Sequence, residues 1–451
     1  MQNKDIKNLK HSQAQIKGGG KVIILNAGSV IGPEAEAMLQ ALHSRSTGGL
    51  ESHLEILADK GPDNFMKNFY VGYGHKSIGD CGSTSIFIEG ISMLAAKAIQ
   101  DWPLYSGQES STRYVDFKTQ PFKNPIGTKE GKEILESYRK FYTEALEQTK
   151  EYLKIQFPLG SGEKESIYNK AIDARAFDIL RGFLPAGSTT NIAWHTNLRQ
   201  AADKIILLRH HPLMEVRNLA EAIEQALRLA FPNSFGHKHH KNTENYNKKW
   251  MEKDYYYHDK NCPNFKMVNN SINKNLLSRK ILEERSIKTE LPKHLAEAGT
   301  LQFKFLLDFG SFRDIQRHRA VIQRMPLLTT EISFGKWYLE ELPKKLKVKA
   351  KEFIKKQEGK IKKLKISKEE KQYYIAMGYN TSNRLTGNLP ALIYLAELRS
   401  TRFVHPTLRN KAKMIANTLL KLFKKSGLVI HLDKEMDRFD IKRGEHDIVL
   451  R

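Results

Sequence analysis

The chain has 451 residues, 40% of them hydrophobic and 9% aromatic, enough apolar material for about two or three packed domains, and wholesale disorder is excluded. Lys and Arg number 74 against 50 Asp and Glu, a formal net charge of +24; that excess favours phosphorylated ligands, RNA or acidic surfaces without choosing among them. Two cysteines, Cys81 and Cys262, exclude a disulfide framework. Residues 1–20 lack an apolar signal core and no run of about 18 apolar residues occurs, so the expectation is a soluble, cytoplasmic protein.

In chain order, residues 1–20 read as a polar leader. The apolar run Val22–Leu25 predicts a strand, and Ala35, Met38, Leu39 and Leu42 fall at helical spacing from Pro33 to His43. Gly18-Gly19-Gly20-Lys21 precedes the strand instead of following it, which rejects a phosphate-binding loop. Residues 82–100 pass from strand-like (Ile86, Phe87, Ile88) to helical (Met93, Leu94, Ala95, Ala96) before Pro103 stops the helix. From Lys129 to Phe157 apolar residues recur every three or four positions, predicting a long amphipathic helix. Residues 171–231 read as further helices, broken near Leu184-Pro185 and His210-His211-Pro212.

A shift to Lys, Asn, His and Tyr marks residues 236–263 as a basic linker. His237, His239 and His240 lie in it, and a solvated connector accounts for them better than a metal site, so no metal is expected. Beyond it, Phe303–Arg319 repeats the passage from strand-like to helical residues. Lys344–Lys371 is a second lysine-rich amphipathic stretch, and residues 373–423 a second helical block.

Element order exposes an internal duplication. With Asp101 set on Arg317, Gln100 meets Gln316, Ile99 meets Ile315, Lys97 meets Arg313 and Phe87 meets Phe303 without a gap. Later, Asn197-Leu198 answers Asn388-Leu389, each followed about three helical turns on by an arginine, Arg209 or Arg399. The fold class that follows is α+β, two tandem domains of small sheets packed with long helices, at residues 21–235 and 264–451.

Three clusters could carry chemistry. Arg317-His318-Arg319 closes a predicted helix and could hold a pyrophosphate or a flavin ring, or could be a basic helix end complementing the macrodipole. Gln108-Glu109-Ser110-Ser111-Thr112-Arg113-Tyr114 offers hydroxyls and an arginine to a phosphate monoester, or a simple helix cap. Arg175, Arg181, Arg199 and Arg209 suit a dianionic substrate, or a solvated helical surface.

Together these pieces resemble the flavin-dependent thymidylate synthases, whose signature is Arg-His-Arg, seven residues, then Ser-x-Arg-Tyr with a Glu two before the Ser. The likeness is split. Arg317-His318-Arg319 stands in the second half, where Met325, Leu327, Thr329 and Thr330 occupy the later places; Glu109, Ser111, Arg113 and Tyr114 stand in the first, where Asp101-Trp102-Pro103 replaces the triplet. Upstream, His75-Lys76-Ser77-Ile78-Gly79-Asp80-Cys81 echoes the family's His-x-Ser-x-x-Glu-His. Downstream, Arg181-Gly182-Phe183-Leu184-Pro185, Asn197-Leu198-Arg199 and Arg209 echo its arginine motifs.

The resemblance implies thymidylate synthase-complementing-protein-like domains that methylate dUMP to dTMP with FAD, NADPH and methylenetetrahydrofolate, without a cysteine nucleophile. It assigns Arg209, Glu109 and Ser111 to catalysis. Gln108, Ser111, Arg113, Arg181 and Arg209 fall to substrate, and Arg317, His318, Arg319, Asn197, Arg199, His75 and Ser77 to the cofactor. It also implies one composite site shared by the two repeats and a homodimer acting as a pseudo-tetramer. Two other readings stay open: a non-catalytic nucleotide- or RNA-binding descendant using Lys344–Lys365, and a flavin and folate enzyme acting on another pyrimidine.

Overall fold

The computed structural model describes residues 11–25, 31–44, 50–72, 74, 76–110 and 115–434. Along the chain run strands β1 (His11–Gln15) and β2 (Lys21–Leu25), then helices α1 (Pro33–His43) and α2 (Leu50–Lys60). Next come β3 (Ser83–Ser92), α3 (Met93–Gln100), β4 (Ser106–Glu109), α4 (Lys129–Gln156), α5 (Glu165–Leu180) and β5 (Thr189–Asn197). Three helices follow, α6 (Leu198–Leu208), α7 (Met214–Ala230) and α8 (Lys241–Asp254), before β6 (Tyr256–Tyr257), β7 (Phe265–Asn270) and β8 (Thr300–Asp308). The chain continues through α9 (Phe309–Ile315), β9 (Ile322–Gln323), β10 (Met325–Pro326), α10 (Lys344–Lys363), β11 (Asn380–Asn388), α11 (Leu389–Arg399) and α12 (Pro406–Phe423). The architecture is mixed α and β, and contacts divide it into two units: residues 1–112 with 189–255, and residues 113–188 with 256–451.

The first unit is built on an antiparallel sheet ordered β1-β2-β3-β5-β4. Val22, Ile24, Ile86, Ile88, Ile192 and Trp194 are buried, and the register sets Ile24 against Ile86 and Ile86 against Trp194, so one apolar row crosses three strands. The row is covered by α7, which lies on β1 and β2, and by α3, which lies on β3 and β5. A bulge interrupts β3 between Ile88 and Ile91. Gly90 sits there at φ 68° and donates its N–H to Asn191 Oδ1 at 2.9 Å, a backbone state that side chains resist. The Ser92 hydroxyl then accepts from Ala95 N at 3.1 Å and starts α3, every residue of which is buried.

The second unit has an antiparallel sheet ordered β7-β8-β11-β9, with β6 and β10 as a separate parallel pair. Leu301, Phe303, Phe305 and Leu307 alternate inward along β8, and α12 packs on that strand. The long helix α4 lies against α10, with Phe141 stacked on Phe353 at 4.5 Å and 6° and Gln357 Nε2 donating to Ile134 O at 3.0 Å. Strand for strand, β2-β3-β5-β4 in one unit and β7-β8-β11-β9 in the other share an order. In each, α3 or α9 follows the second strand of that order and α6 or α11 follows the third.

Several expectations change. The polar leader contains β1, because the Gly18–Gly20 turn folds it back on β2 and buries Ala14 and Ile16. Residues 171–231 and 373–423 are not wholly helical: β5 and β11 lie within them. Thr189-Thr190-Asn191-Ile192-Ala193-Trp194-His195-Thr196-Asn197 alternates with period two, burying Ile192, Trp194 and Thr196. The stretch 236–263 carries α8, anchored by buried Met251 and Asn247. Residues 113–188, placed by element order in the first repeat, group by contacts with the second unit, where α4 meets α10.

Candidate functional site

Within the first unit, a cavity of about 590 Å³ opens beside α6, of a size that suits a cofactor or nucleotide. Lys76, Arg199, Arg209 and Lys238 bring cations to it, Val71, Ile206 and Phe235 supply apolar wall, and Asp203, Glu224 and Glu244 supply carboxylates. Local structure aims the arginines. Asn197 ends β5 and caps α6, its Oδ1 accepting from Gln200 N at 2.8 Å. Arg199 lies in the first turn of α6, and Arg209 is its C-cap, on the same side of the helix about three turns away.

Arg199 Nη1 meets Asp80 Oδ2 at 2.7 Å and its Nε lies 3.6 Å from Asp203 Oδ2. The hydrogen bond and charge of Asp80 hold its guanidinium above the ordinary arginine range. Lys76 Nζ lies 3.6 Å from Asp203 Oδ1. Arg209 donates to the His239 ring at 2.7 Å and lies 3.8 Å from Glu244 Oε1, while His210 Nε2 meets Glu244 Oε2 at 2.6 Å. The carboxylates thus hold Arg199 and Arg209 in fixed poses in the cavity lining. Burial and nearby Lys76 push the His237 imidazole below its ordinary value. Burial likewise raises the Tyr70 phenol, with Asp203 and Asp80 adding to the effect, and its ring meets His237 edge-on at 4.9 Å.

The cavity gathers Arg199 and Arg209 from the expected set. Asn197 serves as a helix cap. Ser77 sits exposed in the short helix Lys76–Gly79, where its carbonyl accepts from Cys81 Sγ at 3.6 Å. His75, Ser111 and Arg113 lie outside the described residues. Gln108 is exposed on β4, whereas Glu109 is buried and accepts from Lys97 Nζ at 2.8 Å and Gln100 Nε2 at 3.0 Å, in an ion pair with both side chains about 1% exposed. What the sequence reading missed is the wall made by His237, Lys238, His239 and Glu244, assigned there to a linker; its histidine density was the available signal.

The Arg-His-Arg triplet belongs to the second unit and follows α9. Arg317 and Arg319 are exposed, but His318 is only 6% exposed. Arg399 Nε, from the end of α11, donates to His318 Nε2 at 2.7 Å. Burial and the Arg399 charge push the His318 pKa down to about 3, so the ring is a neutral acceptor and the triplet carries two cations, not a third titrating near neutrality. Burial opposes the charge of Asp314, but Arg181, Arg317, Arg399 and Arg313 outweigh it and hold the carboxyl below its ordinary value.

Arg181, expected to meet substrate, is buried in this unit instead, donating from Nη2 to Ser311 Oγ at 3.3 Å. Burial works against its charge, and Tyr338, Asp178, Asp314 and Asp308 more than restore it. The Tyr338 hydroxyl and the Thr407 hydroxyl both donate to Asp308, at 2.6 and 2.5 Å, closing a polar network around the arginine. Among the described residues no three His, Cys, Asp or Glu side chains converge to hold a metal ion, and no helix is long and apolar enough to cross a membrane.

Known proteins similar to this chain extend along most of its length. A UPF0159 protein of Chlamydia muridarum is 26% identical, covering 87% of this chain and 85% of its own. One of Chlamydia pneumoniae is 25% identical over 92% and 89%, and one of Thermoplasma acidophilum 22% identical over 80% and 86%. These relatives therefore parallel both units. Residues 28–233, which contain Arg199 and Arg209, match the family described as thymidylate synthase complementing protein.

Proposed function

We propose that the chain is a divergent flavin-dependent thymidylate synthase made of two tandem repeats, which methylates dUMP or a closely related pyrimidine nucleotide. The observation that carries the reading is the cavity beside α6, whose Arg199 and Arg209 lie inside the family-matched segment. The shared strand order of the two units supports the duplication. A homodimer of such chains would correspond to the family's tetramer.

The residues fit an anionic, planar ligand. Arg209 and Lys238 offer charge to a phosphate, Arg199 offers a second fixed cation, and Phe235, Ile206 and Val71 supply apolar wall for a ring system. FAD would supply the hydride and methylenetetrahydrofolate the one-carbon unit, with NADPH as reductant. The protein's own work is binding and orientation: Asp80 and Glu244 keep the arginines posed, and the cavity's apolar side limits water around the reacting ring. In the second repeat, exposed Arg317 and Arg319 are assigned to the flavin, with His318 a positioning group that ties the triplet to Arg399. Glu109 positions too, through its buried pair with Lys97.

Titration of the purified protein with FAD and with dUMP, followed by flavin absorbance and by calorimetry, tests the reading. Both ligands are expected to bind, Arg209→Ala losing dUMP and Arg317→Ala losing flavin. A protein that retains neither ligand under any condition overturns it.

A further inference from the structure

The sheet of the second unit carries a feature that neither flavin nor dUMP uses. In the register of β7, β8 and β11, Lys266 stands opposite Lys304, and Lys304 opposite Arg384. The β11–β9 pairing sets Leu385 against Gln323, and Arg324 N donates to Arg384 O at 3.3 Å, so Arg324 completes the same row. Directly paired residues of adjacent strands share a face, so four cations line up across the sheet, spanning about 14 Å at the usual strand spacing. Lys266 is exposed, and Lys304, Arg384 and Arg324 are partly exposed.

Like charges placed directly opposite one another destabilise a sheet. Among the described residues, Asp259 meets the row, 3.1 Å from Lys304. The Tyr257 ring lies 6.0 Å from Lys304, 5.9 Å from Arg324 and 5.0 Å from Arg384, gathering the cations on its π system. The neighbouring row on that face holds Asn269, Gln302 and Thr386, with Gln302 Nε2 donating to Thr386 Oγ1 at 2.9 Å, followed by Ile322, which is 71% exposed. Amides, a hydroxyl and an apolar side chain next to a cation row provide what base edges and base faces need beside a phosphate chain.

We propose that this face of the β7-β8-β11-β9 sheet binds single-stranded nucleic acid, with Lys266, Lys304, Arg324 and Arg384 taking successive backbone phosphates. A row several phosphates wide suits a polyanion better than one phosphate group, and the +24 net charge of the chain draws such a partner in. The lysines of α10 are not required.

Fluorescence anisotropy of the full-length protein with a labelled oligo-uridylate of about a dozen nucleotides, over a salt series, tests this. Wild type is expected to bind with salt-weakened affinity. Lys266→Gln and Arg384→Gln are expected to lower the log–log salt slope by about 0.7 each and the double variant by about 1.4, with about a tenfold loss of affinity. Relief of like-charge repulsion should leave the melting temperature unchanged or raised; if the double variant melts early, the single variants read the slope. An unchanged slope, no binding by wild type, loss of binding on Lys355→Gln with Lys356→Gln instead, or equal competition by polyglutamate of the same charge would each overturn the proposal. Since FAD and dUMP titrations do not involve this face, its failure and theirs are read separately.

Discussion

Arg399 donates to His318 across 2.7 Å, and this bond makes the middle residue of the Arg-His-Arg triplet a buried, neutral acceptor. Nε2 accepts the hydrogen bond from the arginine, so the ring's own hydrogen sits on Nδ1. The triplet thereby offers two outward guanidinium groups braced from behind, and the brace depends on the imidazole staying uncharged.

That dependence sets a pH response. The folded pKa of about 3 lies below the unfolded value of about 6.5, so between these limits the unfolded chain binds the extra proton. Stability contributed by neutral His318 is complete above pH ~6.5 and falls on acidification toward pH ~3, by up to about 1.4 kcal/mol per pH unit. Urea titrations from pH 7 to 4 should show a shallower loss in His318→Asn than in wild type; identical slopes would refute the assignment.

Lys97 and Glu109 form a buried pair in the first unit. Removing one member of such a pair leaves charge in a poorly solvated place, at about 3–5 kcal/mol. Lys97→Met is expected to lower the thermal midpoint sharply, and Lys97→Met with Glu109→Leu to recover most of it. Equal destabilisation of the single and double variants would count against the pair.

Asn197 and Asn388 each cap the helix that follows the third strand of the shared order, accepting from Gln200 N at 2.8 Å and from Ala391 N at 3.0 Å. Asn→Ala at either position should cost about 1 kcal/mol by chemical denaturation, and Asn→Asp much less. For Asn197 the same Ala substitution should weaken ligand binding at Arg199 through misplacement of α6; intact binding with full loss of the cap would separate the two roles.

Gly90 holds the β3 bulge at φ 68°. Gly90→Val places a β-branched side chain where that backbone state is costly and should destabilise by about 1–2 kcal/mol or more, measured by urea unfolding. A neutral result would mean that the bulge is not held in this conformation.

Much of the fold could be read directly where the signal was local. The passage from Ile86 to Gln100, the twenty-eight residues of α4 and the lysine-rich α10 all appeared from apolar spacing within a few turns. Central strands β5 and β11 did not, since Leu-Pro breaks and flanking helices mask a period-two pattern whose hydrogen-bonding partners lie about 80 to 110 residues off. Arg199 and Arg209, singled out in the sequence by residue type and by resemblance, both line the cavity. The His237–Glu244 wall was mistaken for a connector because its composition is polar, and polarity alone does not distinguish solvent from a cavity.

The amino-acid order determined most of the helices and their ends, since caps, proline stops and apolar spacing act over one or two helical turns. Only the tertiary structure decided what each charge does. Arg181 and Arg199 read alike in the sequence, yet one is sealed beside Ser311 and the other faces a cavity, and His318 is held neutral by burial and by the charge of an arginine 81 residues later. The physical reason is that desolvation and Coulomb terms depend on neighbours in space, which the chain brings together only when it packs.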